Sequence, residues 1–112
     1  QNNGDLLSKS SVERLSEANV KSPIDSMLLF PTSFSQGFML HMDNRKSFEG
    51  EGGSFMIGPK AFGHVGYGGS SATFADPEYK MSFGYLVNRL GGEYLINDRG
   101  QSLINASYRC IN

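Results

Sequence analysis

The chain has 112 residues with a formal net charge of −1, and 38% of them are hydrophobic and 19% charged. This length predicts one domain or part of one, and the composition is typical of a globular chain rather than a disordered one. The charge argues against nucleic-acid binding through a strongly basic surface and against a polybasic membrane contact. No apolar run approaches the roughly 18 residues that span a bilayer. We therefore expect neither nucleic acid nor a membrane among its partners.

The first predicted element is a short helix over residues 10–19. Ser10 and Glu13 have the spacing of a capping box, which favours a helix that begins there. Val12 and Leu15 follow on one helical face. The pattern predicts a helix of about two and a half turns.

Strands dominate the middle of the chain. Alternating apolar residues and turn signals predict four of them, over residues 36–42, 61–67, 70–75 and 80–88. A polar, Gly-rich loop over residues 43–60 separates the first strand from the others. Asp76 and Glu78 flank Pro77 at a turn and are expected in solvent. The last three strands are expected to form an antiparallel meander.

A second helix, over residues 98–110, closes the chain. Together these elements predict an α+β fold. An antiparallel sheet of about four strands would be flanked by an N-terminal and a C-terminal helix.

Several catalytic signatures are absent from the sequence. There is no phosphate-binding loop, no H-E-x-x-H zinc motif, no G-x-S-x-G elbow and no S-x-x-K nucleophile motif. His41 and Asp43 alternate on one strand face, but two ligands are too few for a typical closed metal site. We therefore expect no metal and no cofactor.

The densest feature is the glycine cluster over residues 63–70, with the sequence GHVGYGGS. Its local pattern favours a glycine-rich hairpin between two strands. A second interpretation is the edge of a covered cleft, where substrate lies against the backbone at Gly66. The amide that follows Gly66 would then face a developing oxyanion. His64, with a side chain that exchanges protons near neutral pH, would donate a proton or a hydrogen bond.

Three segments resemble the C-terminal part of the serine beta-lactamase-related family. They are FGHVGYGGS at residues 62–70, FADPE at residues 74–78 and FGYLVNR at residues 83–89. This family contains class C beta-lactamases, penicillin-binding proteins, family VIII esterases and eukaryotic beta-lactamase-like proteins. The resemblance is closest to the esterase and eukaryotic branches, in which H-x-G replaces K-T-G. It implies that residues 1–112 are the C-terminal portion of a beta-lactamase/transpeptidase-like domain.

The resemblance also implies roles for individual residues. His64 would bond the acyl or carboxylate region of the substrate and assist proton transfer, and the backbone amide of Tyr67 would form one arm of the oxyanion hole. Val65, Gly66 and Gly68 would lie in the substrate-binding region. Val65 stands where related sequences have Thr, Ser or Pro, so its side chain donates no hydrogen bond. The implied substrate is a small-molecule ester or amide.

Two further motifs of the family, S-x-x-K and Y-x-N, do not occur in the sequence. An oxyanion donor without a nucleophile cannot carry acyl transfer through a covalent intermediate. We therefore expect this fragment of a serine hydrolase to be inactive alone. The alternative is a non-catalytic binding or self-assembly module, with a homo-oligomer formed through the exposed sheet.

Overall fold

The computed structural model describes residues 6–46 and 53–111, and over these ranges it has two α-helices and five strands. The helices are α1 (Lys9–Leu15) and α2 (Asp98–Ile111), and the strands are β1 (Val20–Ser22), β2 (Thr32–Phe34), β3 (Phe62–Val65), β4 (Ser71–Asp76) and β5 (Met81–Leu86). A short 3₁₀ turn, Tyr67–Gly69, connects β3 to β4. None of the helices in the described ranges has the length and apolar character needed to cross a bilayer.

The predicted α+β class is confirmed, with its antiparallel strands divided between two groups. β3, β4 and β5 form the meander, in which β4 is central, and β1 pairs with β2. Met39 connects the two groups because it makes isolated bridges to Phe34 in β2 and to Gly63 in β3. The helices α1 and α2 lie at the N-terminal and C-terminal ends of this arrangement.

The core lies on the face of the meander that packs against α2. Along β4, Ala72 and Phe74 are buried whereas Thr73 between them is exposed, as strand alternation requires. The Phe74 ring stacks on Phe83 of β5 and on Tyr108 of α2, with centroid separations of 5.2 and 5.8 Å. The opposite face of the meander, which carries Thr73, is therefore the outer one.

A buried carboxylate joins four parts of the fold. Asp76 is 1% exposed, and its Oδ2 accepts a hydrogen bond of 2.6 Å from the Tyr108 hydroxyl. That hydroxyl in turn accepts a bond of 2.8 Å from the Gly58 amide. The amides of Glu78 and Tyr79 donate to Oδ1 at 3.1 and 3.4 Å. The expectation that Asp76 lies in solvent is wrong, because these donors compensate for its burial.

The predicted N-terminal helix differs from α1 at both ends. Ser8, not Ser10, is the N-cap, and its hydroxyl oxygen accepts a bond of 3.1 Å from the Ser11 amide. At the other end, the Asn19 amide donates to the Phe34 carbonyl at 2.8 Å. The chain has therefore left the helix by Asn19 and is entering the pairing of β1 with β2.

The strand predicted over residues 36–42 does not form. Gly37 has a φ of 98°, which interrupts extended backbone, and the Ser35 amide donates to the Phe38 carbonyl at 2.9 Å across the bend. Met39 makes only isolated bridges. The regular strand lies earlier, at β2. Residues 47–52 of the predicted loop lie outside the described part of the chain.

Replacing Tyr108 with Phe tests the buried carboxylate. We expect Tyr108→Phe to lower the free energy of unfolding by about 1–3 kcal/mol, because it removes the hydroxyl that pairs with Asp76 and Gly58. The matched control is Tyr79→Phe, since Tyr79 is exposed and its ring meets Tyr108 edge-on at 5.5 Å. Denaturant titration measures both variants. Equal losses in the two would show that the Tyr108 hydroxyl has no special role.

The same hydroxyl predicts a pH dependence. Burial, followed by the hydrogen bond to Asp76, raises the pKa of Tyr108 above its ordinary value of 10.0. Because this pKa is higher in the folded state than in the unfolded state, the stabilisation is fully present below about pH 10 and is lost as pH rises through the folded-state pKa. A phenolate absorbance titration of the folded protein should contain a late component that Tyr108→Phe lacks. If the absorbance that Tyr108→Phe lacks lies instead in the ordinary tyrosine range near pH 10, the pKa of Tyr108 is not raised.

Candidate active site

The candidate site lies on β3, an edge strand of the meander. Gly63 and Val65 are buried, and His64 between them is exposed on the outer face. His64 pairs with Thr73 of β4, which pairs in turn with Gly84 of β5. A Cβ placed on Gly84 would have nothing within 4 Å. His64 therefore stands on a sheet face with open space beside it.

The imidazole of His64 contacts its own strand. Its Nδ1 lies 2.8 Å from the carbonyl oxygen of Val65, the next residue. Successive residues of a strand direct their backbone polar groups to opposite edges. The Gly66 amide donates to the Ser71 carbonyl of β4 at 2.9 Å. The Val65 carbonyl therefore belongs to the opposite edge of β3, away from β4.

The backbone amide of Tyr67 lies on the same edge of β3, the edge away from β4, which we call the outer edge. Gly66 is extended, with φ −89° and ψ 152°, and its own amide points to β4. In extended backbone successive amides point in opposite directions, so the Tyr67 amide points away from β4. This amide donates no hydrogen bond to any of the described residues. An N–H group in this position is available to an external acceptor, as an oxyanion hole requires.

A side chain at Gly66 would meet two neighbouring serine side chains. A Cβ at this position would collide with the hydroxyl oxygens of Ser70 and Ser71. The two serines follow the 3₁₀ turn, and sequence reasoning did not identify them as neighbours of Gly66. The only signal was their place directly after the glycines, where a tight turn brings the chain back.

Gly68 holds the loop in place through both of its backbone polar groups. It adopts a left-handed conformation, with φ 68° and ψ 22°. Its amide donates to the Glu93 carbonyl at 3.0 Å, and its carbonyl accepts from the Gly91 amide at 2.7 Å. Gly69 is also left-handed, and a Cβ there would approach Asn97. The predicted glycine-rich connection between two strands is present, but the amide of Gly68 already has a partner within the fold.

Val65 contributes its backbone rather than its side chain to the outer edge. The side chain is 5% exposed and belongs to the hydrophobic core. The structure thus brings His64 and the Tyr67 amide to one strand end. It places the Val65 side chain and the Gly68 amide in internal packing.

A separate cavity of about 350 Å³ lies beside the chain that follows β5. Sequence reasoning did not identify it, because its charged residues are spread along the chain without a motif. Neither His64 nor Tyr67 lines it. The lining residues are Arg89, Leu90, Gly91, Glu93, Ile96, Asn97, Asp98 and Arg99. Glu93 Oε2 is buried there without a hydrogen-bond partner among the described residues.

The two side chains weighed as a metal site have other partners. Nδ1 of His41 lies 2.6 Å from the Ile57 carbonyl oxygen. Asp43 accepts two bonds of 2.7 Å from the Arg45 guanidinium. The hydrogen bond with Arg45 is the main reason that the pKa of Asp43 falls from 3.8 to about 2. Asp43 is therefore paired with Arg45 and not directed at a shared site with His41.

One comparison with known proteins identifies the family of the chain. The family model described as Beta-lactamase matches residues 1–105, which is nearly the whole chain. A sequence comparison with curated proteins found no match. The resemblance first noted around the H-x-G segment is thus confirmed by a match that extends well beyond it. The chain belongs to the beta-lactamase family.

Proposed function

We propose that this chain supplies one wall of the acyl-transfer site of a serine hydrolase in the beta-lactamase and esterase group. In this role His64 contacts the acyl region of the substrate and assists proton transfer, and the Tyr67 amide binds the oxyanion. The observation that carries the proposal is that an exposed imidazole and an amide with no hydrogen-bond partner among the described residues share the outer edge of β3.

The chemistry of acyl transfer explains why these two groups belong together. Attack on an ester or amide carbonyl places negative charge on its oxygen, and a fixed N–H group stabilises that charge without reorganising. The same reaction needs a proton moved between the attacking and leaving groups, which is a common function of histidine. The substrate class that fits is a small-molecule ester or amide.

The nucleophile is not among the 112 residues, since the sequence lacks both S-x-x-K and Y-x-N. In this proposal residues outside the given sequence supply the serine and its base. The Tyr67 amide is then one of at least two oxyanion donors. A coding sequence that encodes neither motif upstream of Gln1 would argue against catalysis by this chain.

A non-catalytic module remains the second candidate because of one observation on β5. Met81–Leu86 contains no charged residue and no proline, and Leu86 is 81% exposed. Edge strands without such protective residues pair readily with other strands. In this alternative the sheet forms a homo-oligomer. A monomeric mass in solution at the concentrations used for assay would argue against it.

The proposed function is tested by replacing His64 in the protein that carries the S-x-x-K segment. We expect His64→Ala to lower kcat/KM for a nitrophenyl ester or a chromogenic lactam by about 10²–10⁴-fold, the usual contribution of a positioned proton-transfer group. The 112-residue chain alone should turn over neither substrate.

Thr73→Ala is the matched control, because Thr73 is exposed on the same face and pairs directly with His64. It should leave kcat/KM within about twofold, as expected for a surface substitution with little effect on the fold. Similar rates for His64→Ala and the control would reject the role of His64. Turnover by the isolated chain that disappears in His64→Ala would reject its predicted inactivity.

A further inference from the structure

We infer that the Val65 carbonyl holds His64 as the Nδ1–H tautomer, so that Nε2 is the ring atom that meets the reacting groups. Val65 is then a positioning residue that acts through its backbone. The assignment of the tautomer depends only on the geometry of β3. The part played by Nε2 rests on the proposed function.

The tautomer follows from the chemistry of the contact. Nδ1 of His64 lies 2.8 Å from the Val65 carbonyl oxygen, a normal hydrogen-bond distance. A carbonyl oxygen has no proton to donate, so Nδ1 must carry the hydrogen. In the neutral ring the lone pair is then on Nε2.

The Val65 carbonyl is available because, within residues 6–46 and 53–111, backbone pairing on the outer edge of β3 ends at Gly63. Gly63 exchanges two backbone hydrogen bonds with Met39, of 2.8 and 3.0 Å. Two residues further on, Val65 has the same orientation but no backbone partner on that edge among the described residues. Its carbonyl accepts from His64 instead. The open stretch of edge that begins at Val65 also contains the Tyr67 amide.

This arrangement lets one ring atom both take and return a proton. A base outside these 112 residues takes the proton of the attacking hydroxyl as that oxygen bonds to the acyl carbon, and neutral His64 accepts this proton from the base at Nε2. The ring becomes an imidazolium that still donates from Nδ1 to Val65. Nε2–H then gives the proton to the leaving-group oxygen or nitrogen as the bond to the acyl carbon breaks. The ring ends neutral and needs no rotation at any step.

Long-range ¹H–¹⁵N NMR spectra of the 112-residue chain test the tautomer directly, because they distinguish protonated from unprotonated ring nitrogens. The chain has two histidines, and His41→Gln assigns the signals of His64. We expect neutral His64 to carry its proton on Nδ1. A proton on Nε2, or rapid averaging between the two nitrogens, would overturn the inference.

Two amide variants in the protein that carries S-x-x-K separate positioning from reaction. The nitrogen of an Asn side chain stands near the place of Nδ1, whereas the end of a Gln side chain reaches the place of Nε2. We expect both variants to lower kcat by about 10²–10⁴-fold, because neither amide relays a proton, but only His64→Asn to raise KM, because the Gln side chain keeps a hydrogen-bonding group at the place of Nε2. A kcat close to that of the unmodified protein in His64→Gln would overturn proton transfer through Nε2, and equal increases of KM in the two variants would overturn its contact with the substrate.

The two measurements also separate this inference from the proposed function. An Nδ1–H ring combined with full activity in His64→Ala would reject the proposed function and leave the tautomer assignment standing. An Nε2–H ring combined with a large loss of activity in His64→Ala would reject the tautomer assignment and leave the proposed function standing.

Discussion

Met39 pairs with Gly63 on the outer edge of β3. The candidate site depends on where this pairing ends. The two hydrogen bonds between Met39 and Gly63 close the first part of the edge. Beyond them the backbone of Val65 and Tyr67 faces outward, and no strand in the described part of the chain lies beside it. A longer strand at residues 36–42 would extend this pairing towards Val65 and Tyr67, because a two-residue step along β3 corresponds to a two-residue step along its neighbour. Gly37, with its φ of 98°, interrupts that strand.

The rest of the fold keeps the end of β3 in place. After Gly66 the chain is fixed to the segment before α2 by the two backbone bonds of Gly68. Asn97 then caps α2 by accepting from the Gly100 amide at 3.1 Å. At the other end of the meander, the bond between Asp76 and Tyr108 fastens β4 to the same helix. α2 is thus attached near both ends of the sheet, which limits how far the Tyr67 amide can move.

Sequence reasoning identified the parts of the fold that depend on local patterns. β3, β4 and β5 alternate clearly, and the glycines between the first two predict the glycine-rich connection that the structure contains. It failed at Asp76, because the partner that makes burial acceptable is Tyr108, 32 residues away. It also failed at residues 36–42, where an alternating pattern was outweighed by the conformation of one glycine. In neither case does the local sequence carry the deciding information.

The candidate site was predictable to a similar degree. The resemblance around H-x-G identified His64 and the Tyr67 amide, and the structure leaves both accessible at one edge. Motif positions alone could not separate backbone from side-chain roles. Val65 turns its side chain into the core, and Gly68 uses its amide within the fold, because a strand alternates its faces and a left-handed turn must be fastened to its neighbours.

The most direct measurement removes the proposed oxyanion donor itself. Proline at position 67 has no N–H, and it fits the site because extended Gly66 suits a residue before proline and position 67 begins a 3₁₀ turn. In the protein that carries the S-x-x-K segment, we expect Tyr67→Pro to have a kcat/KM about 10²–10³-fold below that of Tyr67→Ala, which keeps the amide. Circular dichroism establishes that both variants fold. Equal kcat/KM values for two folded variants would mean that the amide at position 67 does not stabilise the oxyanion.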